Sequence, residues 1–168
     1  MNKPPCILVM GVSGCGKTTI ARLLAAKKEL PFLEADDFHP LSNKEKMQAK
    51  IPLTDADRRP GLQKLGIEMR NQESNGCVLA CSALKESYRQ LLQSSINEPL
   101  QVVFLQGSFE EILKRMEARE NHFMPSDLLK SQFEDLEIPQ NAFCVNIAGT
   151  PAAIIEEVLQ LLNGERHG

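Results

Sequence analysis

The sequence predicts an α/β fold: a five-stranded parallel sheet with helices on both faces, three layers in all. Three observations lead there. Short apolar, β-branched runs recur at residues 6–10, 31–35, 77–81, 101–106 and 143–147. Segments with helical periodicity separate them, and strands alternating with helices build βαβ units, whose parallel sheets are covered on both sides. A glycine-rich loop stands directly between the first run and the first helical pattern.

The helices follow from spacing. Ile20, Leu23 and Leu24 share one face after the first run. Thr54-x-x-Asp57, with Pro60 just beyond, marks a helix start. Ser108-x-x-Glu111 has capping-box spacing and opens a helix whose apolar positions are Phe109, Ile112, Leu113 and Met116. Leu129, Phe133 and Leu136 repeat that period, and Ile154, Ile155, Val158, Leu161 and Leu162 form a last amphipathic helix.

Bulk properties bound the function. A chain of 168 residues reads as one domain, residues 1–168, able to bury roughly 70% of its unfolded surface. Net charge is −3 with acids and bases interspersed, which excludes a nucleic acid as main partner because no overall positive field would attract it. No apolar run approaches the ~20 residues of a membrane span, so no membrane partner is expected. The start, Met-Asn-Lys-Pro-Pro, has no signal-peptide pattern. Five cysteines, an odd number mostly inside apolar runs, read as reduced core residues in a cytoplasmic protein.

The loop after the first run, "GVSGCGKTTI", matches G-x-x-x-x-G-K-[ST]. Gly11, Val12, Ser13, Gly14, Cys15, Gly16, Lys17, Thr18 and Thr19 are the expected nucleotide-binding residues. The glycines let successive amides turn inward toward an anion, and the helix starting near Lys17 adds about half a positive charge there. Lys17 reaches the terminal phosphates and the Thr18 hydroxyl can join a Mg²⁺ shell, so the ligands implied are ATP and Mg²⁺. Cys15, near that helix end, is expected to favour a thiolate that ATP would shield.

GTPase base-reading motifs are missing from the chain and it is short for a motor ATPase, which leaves a small kinase acting on a metabolite. "ADDFHP", residues 35–40, then ends the second strand beside the phosphate loop. Asp36 is placed to orient an acceptor hydroxyl and take its proton, or to hold Mg²⁺ through water, with His39 a second polar contact.

"GVSGCGKT", "DDFHP", "NKEKM", "PLTDADRRP", "CSALKESYR" and "HFMPSDLLKSQFEDLEIP" occur in order and spacing similar to those of small P-loop gluconokinases, over residues 7 to about 139. The resemblance implies ATP-dependent phosphorylation of D-gluconate at its 6-hydroxyl, a nucleoside-monophosphate-kinase-like fold with a lid segment, and a homodimer. It places a substrate-covering region at about 38–75 and the lid at about 115–136. A small polyhydroxylated anion needs cations and hydrogen-bonding groups. Arg58, Lys85 and Arg89 are the candidate cations, and Ser82 leaves the third strand on the ligand side. Arg115 and Arg119 would be lid arginines that neutralise charge on the transferred phosphoryl, worth ~10³ or more in rate. His122 and Gln132 are further substrate contacts, and "IAGTP", residues 147–151, is where related kinases hold adenine.

Three positions depart from the family pattern. Gly61 replaces a tryptophan, Lys50 a glycine and Asn121 a glycine. They leave open a kinase for another polyhydroxy acid, shikimate-like, or an ATP-binding paralogue without turnover. A nucleoside-monophosphate kinase is disfavoured, because Asp36 and Asp37 stand where an acceptor phosphate would want arginines.

Overall fold

The first strand, β1 (Cys6–Met10), is buried at every residue because it has neighbours on both edges and helices on both faces. The computed structural model describes residues 3–118 and 126–165. β1 pairs in parallel with β3 (Cys77–Ala80) and with β4 (Gln101–Gln106), setting Leu8 beside Leu79 on one side and Val102 on the other. β2 (Phe32–Glu34) adds to β3 and β5 (Phe143–Asn146) to β4, giving the order β2-β3-β1-β4-β5. The five parallel strands are those the sequence predicts. Three of them stop one residue early, and β2 also starts one residue late. The Cys81 and Ile147 amides still bond to Val9 O and Gln106 O on the neighbouring strands, whereas Ala35 already begins a 3₁₀ turn.

Alternation along the strands divides the core. Ile7, Val9, Val78, Val103, Leu105 and Val145 face α1 (Lys17–Lys28), α5 (Phe109–Glu117) and α7 (Pro151–Glu165). Leu8, Met10, Leu79 and Phe104 face α3 (Asp55–Gln72) and α4 (Glu86–Gln93). This is the three-layer arrangement. Two apolar assignments need correcting. Leu23 turns to the surface while Ala21 and Ala25 pack beside Leu24, because close approach of α1 to the sheet favours small side chains there. Cys144 is exposed, on an edge strand with one covered face, whereas the other four free thiols are buried.

The expected capping box forms at Ser108, and the helix start expected at Thr54 is a second one. Ser108 and Glu111 open α5, and Thr54 and Asp57 open α3. Asp57 also accepts two hydrogen bonds from Lys46 Nζ, at 2.9 and 2.8 Å, which ties α3 to α2 (Leu41–Gln48). The chain leaves β1 toward the β2 edge and leaves β3 toward β4, so the carboxyl ends of β1 and β3 part into a crevice. α2 and α6 (Ser126–Asp135) supply its upper walls.

Two outcomes test this packing. Leu24→Ala, at a fully buried position, is expected to cost about 2–5 kcal/mol in chemical denaturation. Asp57 is depressed from 3.8 to about 2, chiefly by Lys46 and then by the Thr54 amide. The stabilisation it gives over Asp57→Asn is therefore full above pH 3.8 and shrinks as pH falls toward about 2. Denaturation of both proteins across that range reads the difference.

Candidate active site

Gly14 and Gly16 carry the tight turn after β1, with φ of +82° and +95°, a region that L side chains rarely adopt. A Cβ on Gly14 would also lie 2.6 Å from Met116 Cγ, so the loop is pinned against α5. Gly16 caps α1 in the left-handed conformation and its carbonyl accepts the Ile20 amide, which points the first amides of α1 into the crevice. Lys17 folds back, its Nζ donating to the Val12 carbonyl at 3.2 Å.

Not every loop residue meets the cavity. Ser13, Gly14, Gly16, Lys17, Thr18 and Thr19 line it. Gly11, Val12 and Cys15 stand behind it, with the Gly11 amide donating to Ser82 O at 3.4 Å. The thiolate expected at Cys15 is not supported. Its side chain is 1% exposed in the core below the loop, and burial raises its pKa more than Lys17 lowers it.

Thr18 Oγ1 donates to Glu34 Oε2 at 2.7 Å. Glu34 was hidden within an apolar run, yet it is the last residue of β2 and aims into the crevice; its position at a strand's carboxyl end was the available signal. A hydroxyl and a carboxylate converging beside a phosphate loop are the hard oxygen donors Mg²⁺ takes, with waters and phosphate completing its shell. The donor set fits that ion.

The crevice encloses about 630 Å³, continuous from the phosphate loop to Asp36, His39 and Arg58. Ala35–Phe38 form a short 3₁₀ turn, and Glu34 caps it by accepting the Asp36 amide. This lifts the Asp36 carboxylate into solvent at the rim, 72% exposed, with His39 Nε2 3.8 Å away. His39 is shifted below the usual imidazole range, mainly by burial, so its ring is neutral at pH 7. Its Nδ1 lies 3.5 Å from Asn43 Nδ2, and Asn43, 2% exposed, also donates to Asp57 O at 2.6 Å. A donor at Nδ1 leaves the ring proton on Nε2, facing Asp36.

Arg58 stands on the first turns of α3 with its guanidinium 5.8 Å from the Tyr88 ring centroid. Its Nε is buried without a hydrogen-bond partner, which an incoming anion would supply. Ser82 lines the cavity as expected. Gln132 does too: its Oε1 accepts the Ser13 amide at 2.7 Å and its Nε2 donates to Ser13 Oγ at 2.9 Å, binding α6 to the phosphate loop.

Three expected site residues are placed differently. Lys85 is off the cavity lining, its Nζ held 2.9 Å from Asp55 Oδ1. Tyr88 shares that carboxylate, lowering the Asp55 pKa, and Lys85 is raised in turn. Arg89 is 6% exposed and off the lining of this cavity, its guanidinium bonded to Glu86, Ala83 O and Glu137 O. Arg115 is off the cavity lining: it donates to the carbonyl of Ile147, the first of residues 147–151, while staying near enough to the phosphate loop for its charge to act on Cys15. Arg119 and His122 lie outside the described residues, as does Asn121. Sequence reasoning did not single out Asp135, which lines the cavity from the last turn of α6.

The shikimate kinase family model matches residues 13–163. Over 97% of this chain and 94% of the relative, it is 42% identical to the gluconokinase of Gluconobacter oxydans strain 621H. The crystal structure of a gluconokinase from Sinorhizobium meliloti 1021 superposes with a TM-score of 0.88 at 42% identity, covering 95% of this chain and 92% of the other. The chain belongs to the gluconokinase family. An unliganded sugar kinase from Janibacter sp. HTCC2649 gives 0.89 at 39% identity, with 95% of each chain covered. Shikimate kinase from Bacteroides thetaiotaomicron, at 16% identity and 0.67, shares the fold.

Two departures from the gluconokinase pattern acquire physical content. Lys50 adopts φ +63°, the left-handed region, which explains why a glycine suits the position. Gly61 lies buried in α3 beside the site, where a Cβ would stand 3.3 Å from Phe38 O and 3.7 Å from His39 Nδ1. A larger side chain there would press on the turn that carries Asp36.

Lys50→Gly is expected to keep the fold and change stability by no more than about 1 kcal/mol, since relieved strain offsets the greater freedom of the unfolded chain. A loss above 2 kcal/mol in denaturation would contradict the strain assigned to Lys50. Cys15 is expected to alkylate at the slow rate of a buried thiol with and without Mg-ATP, as read by mass spectrometry of the labelled peptide.

Proposed function

We propose that this protein transfers the γ-phosphoryl group of ATP to the 6-hydroxyl of D-gluconate, giving 6-phospho-D-gluconate. One observation carries the reading: a single cavity joins the phosphate loop to an acceptor end bearing a rim carboxylate, Asp36, and a partly unsatisfied cation, Arg58. The roughly 40% identity to gluconokinases over nearly the whole chain selects gluconate among sugar acids.

In this reading Lys17 swings from the Val12 carbonyl to the β- and γ-phosphates, and the first amides of α1 hold the remaining oxygens. Thr18 and Glu34 would hold Mg²⁺, which neutralises phosphate charge. Arg58 takes the substrate carboxylate as a planar fork, while Ser82, His39 and Asp135 offer hydrogen bonds to hydroxyls. Asp36 orients the 6-hydroxyl and accepts its proton as the oxygen attacks the γ-phosphorus and ADP departs. Arg115 belongs at the adenine end, next to residues 147–151. Arg119 and His122 stay candidates for the lid and substrate roles that the family pattern assigns. The buried free thiols suit a reducing cytoplasm, and a homodimer completes the family pattern.

The shikimate kinase family match gives a second reading, in which shikimate or a similar hydroxy acid is the acceptor. Coupled ADP release over a panel of gluconate, other sugar acids, shikimate and AMP decides. Turnover with gluconate alone is expected, and shikimate turnover without gluconate turnover would overturn the assignment. Asp36→Asn is expected to bind ATP with unchanged affinity and to lose at least about 100-fold in kcat, the scale of positioned acid–base catalysis. Lys17→Ala is expected to weaken ATP use with every acceptor, and Glu34→Gln to raise the Mg²⁺ concentration needed for half-maximal rate.

A further inference from the structure

Arg89 is the charged side chain most deeply enclosed among the described residues, yet it lies off the cavity lining. Its five donor hydrogens face a closed set of partners. Nη1 donates to Ala83 O at 2.7 Å, with Met10 Sδ 3.9 Å away. Nη2 donates to Glu137 O at 2.8 Å, and both Nε and Nη2 reach Glu86 Oε2, at 3.2 and 3.0 Å. One planar group thus joins the end of β1, the start of α4, the loop after β3 and the segment that follows α6.

Ala83 is the key partner. Its φ is +42°, a conformation unfavourable for a residue with a Cβ, and it is 1% exposed. Ser82 and Ala83 both line the cavity, as Arg58 does, and Ser82 O accepts the Gly11 amide of the phosphate loop at 3.4 Å. A strained turn persists when its surroundings hold it. Here the holding groups are explicit. Arg89 grips the Ala83 carbonyl, Glu137 N donates to Leu84 O at 2.8 Å, and Glu86 N donates to Glu137 Oε1 at 2.7 Å.

We propose that Arg89 is a positioning residue for the acceptor: from behind the cavity wall it holds the left-handed Ala83 turn that faces Ser82 and Ala83 toward the sugar acid. The same guanidinium fastens the end of α6 through Glu137, so the acceptor loop and the lid helix share one anchor. This rests on the reading of that cavity end as the acceptor site. A lysine cannot replace the anchor, because one ammonium on a flexible stem cannot meet two carbonyls and a carboxylate in the plane they occupy.

The test compares wild type, Arg89→Lys and Arg89→Ala by steady-state kinetics, ATP binding, and hydrogen–deuterium exchange of the peptide covering residues 82–85. The substitutions are expected to raise the gluconate KM at least tenfold, change kcat less than threefold and leave the ATP Kd within twofold. Exchange at 82–85 is expected to quicken at least tenfold, and guanidinium ion at millimolar concentration to restore part of the KM in Arg89→Ala. If Arg89→Ala does not fold, Arg89→Lys alone decides. Unchanged exchange at 82–85 in folded Arg89→Lys overturns the anchor whatever the acceptor is. Equal weakening of acceptor and nucleotide binding also overturns it, by reducing Arg89 to a general structural role. Failure of wild type to turn over gluconate would instead count against the proposed function, with the exchange result still deciding on Arg89.

Discussion

The turn between β1 and α1 constrains everything around it. β1 delivers the chain to the centre of the sheet, and Gly14 and Gly16 reverse it within a few residues by taking left-handed conformations. Only so short a reversal leaves the first amides of α1 unpaired at the carboxyl edge of the strands, where the helix dipole adds positive potential. The neighbouring elements adapt to that turn. Met116 packs where a Gly14 side chain would be, Gln132 bonds to Ser13, and Glu34 meets Thr18.

Opposite the phosphate loop, charge is arranged in two tiers. Facing the cavity are groups with capacity to spare: Asp36 at the rim, Arg58 with an unsatisfied Nε, and Asp135 on α6. Behind them are groups whose bonding is complete. Arg89 saturates its donors, and Asp57 closes a capping box and receives Lys46; Lys85 is likewise held, by the exposed Asp55 that Tyr88 shares. A buried ion must be paired to be tolerated, whereas a binding group must keep some capacity unused. That difference separates residues able to take a ligand from those that hold the ligand site in place, and it sets Arg58 apart from Arg89.

Much of the fold was legible because burial dictates pattern. The central strands β1 and β4 were bounded to the residue, and the starts of α3 and α5 were readable as four-residue spacings, the second as a capping box. α2 was not legible, since of its residues only Asn43 is buried and its apolar Leu41 and Met47 are exposed. Within the site, the phosphate loop was legible as a contiguous string, and Asp36 followed from its place at the end of β2. Glu34 escaped because one carboxylate inside an apolar run resembles an edge-strand residue. Lys85 and Arg89 were overread, because a cation near a motif looks the same in sequence whether or not a partner already holds it.

The amino-acid sequence by itself determined the layers, the phosphate-binding turn and the family, because each depends on local spacing or on contiguous motifs. Tertiary structure alone decided which charged side chains are available to a ligand. That depends on partners 30 to 50 positions away, as with Asp55 for Lys85 and Glu137 for Arg89. Electrostatic pairing acts through space, and no periodicity along the chain records it.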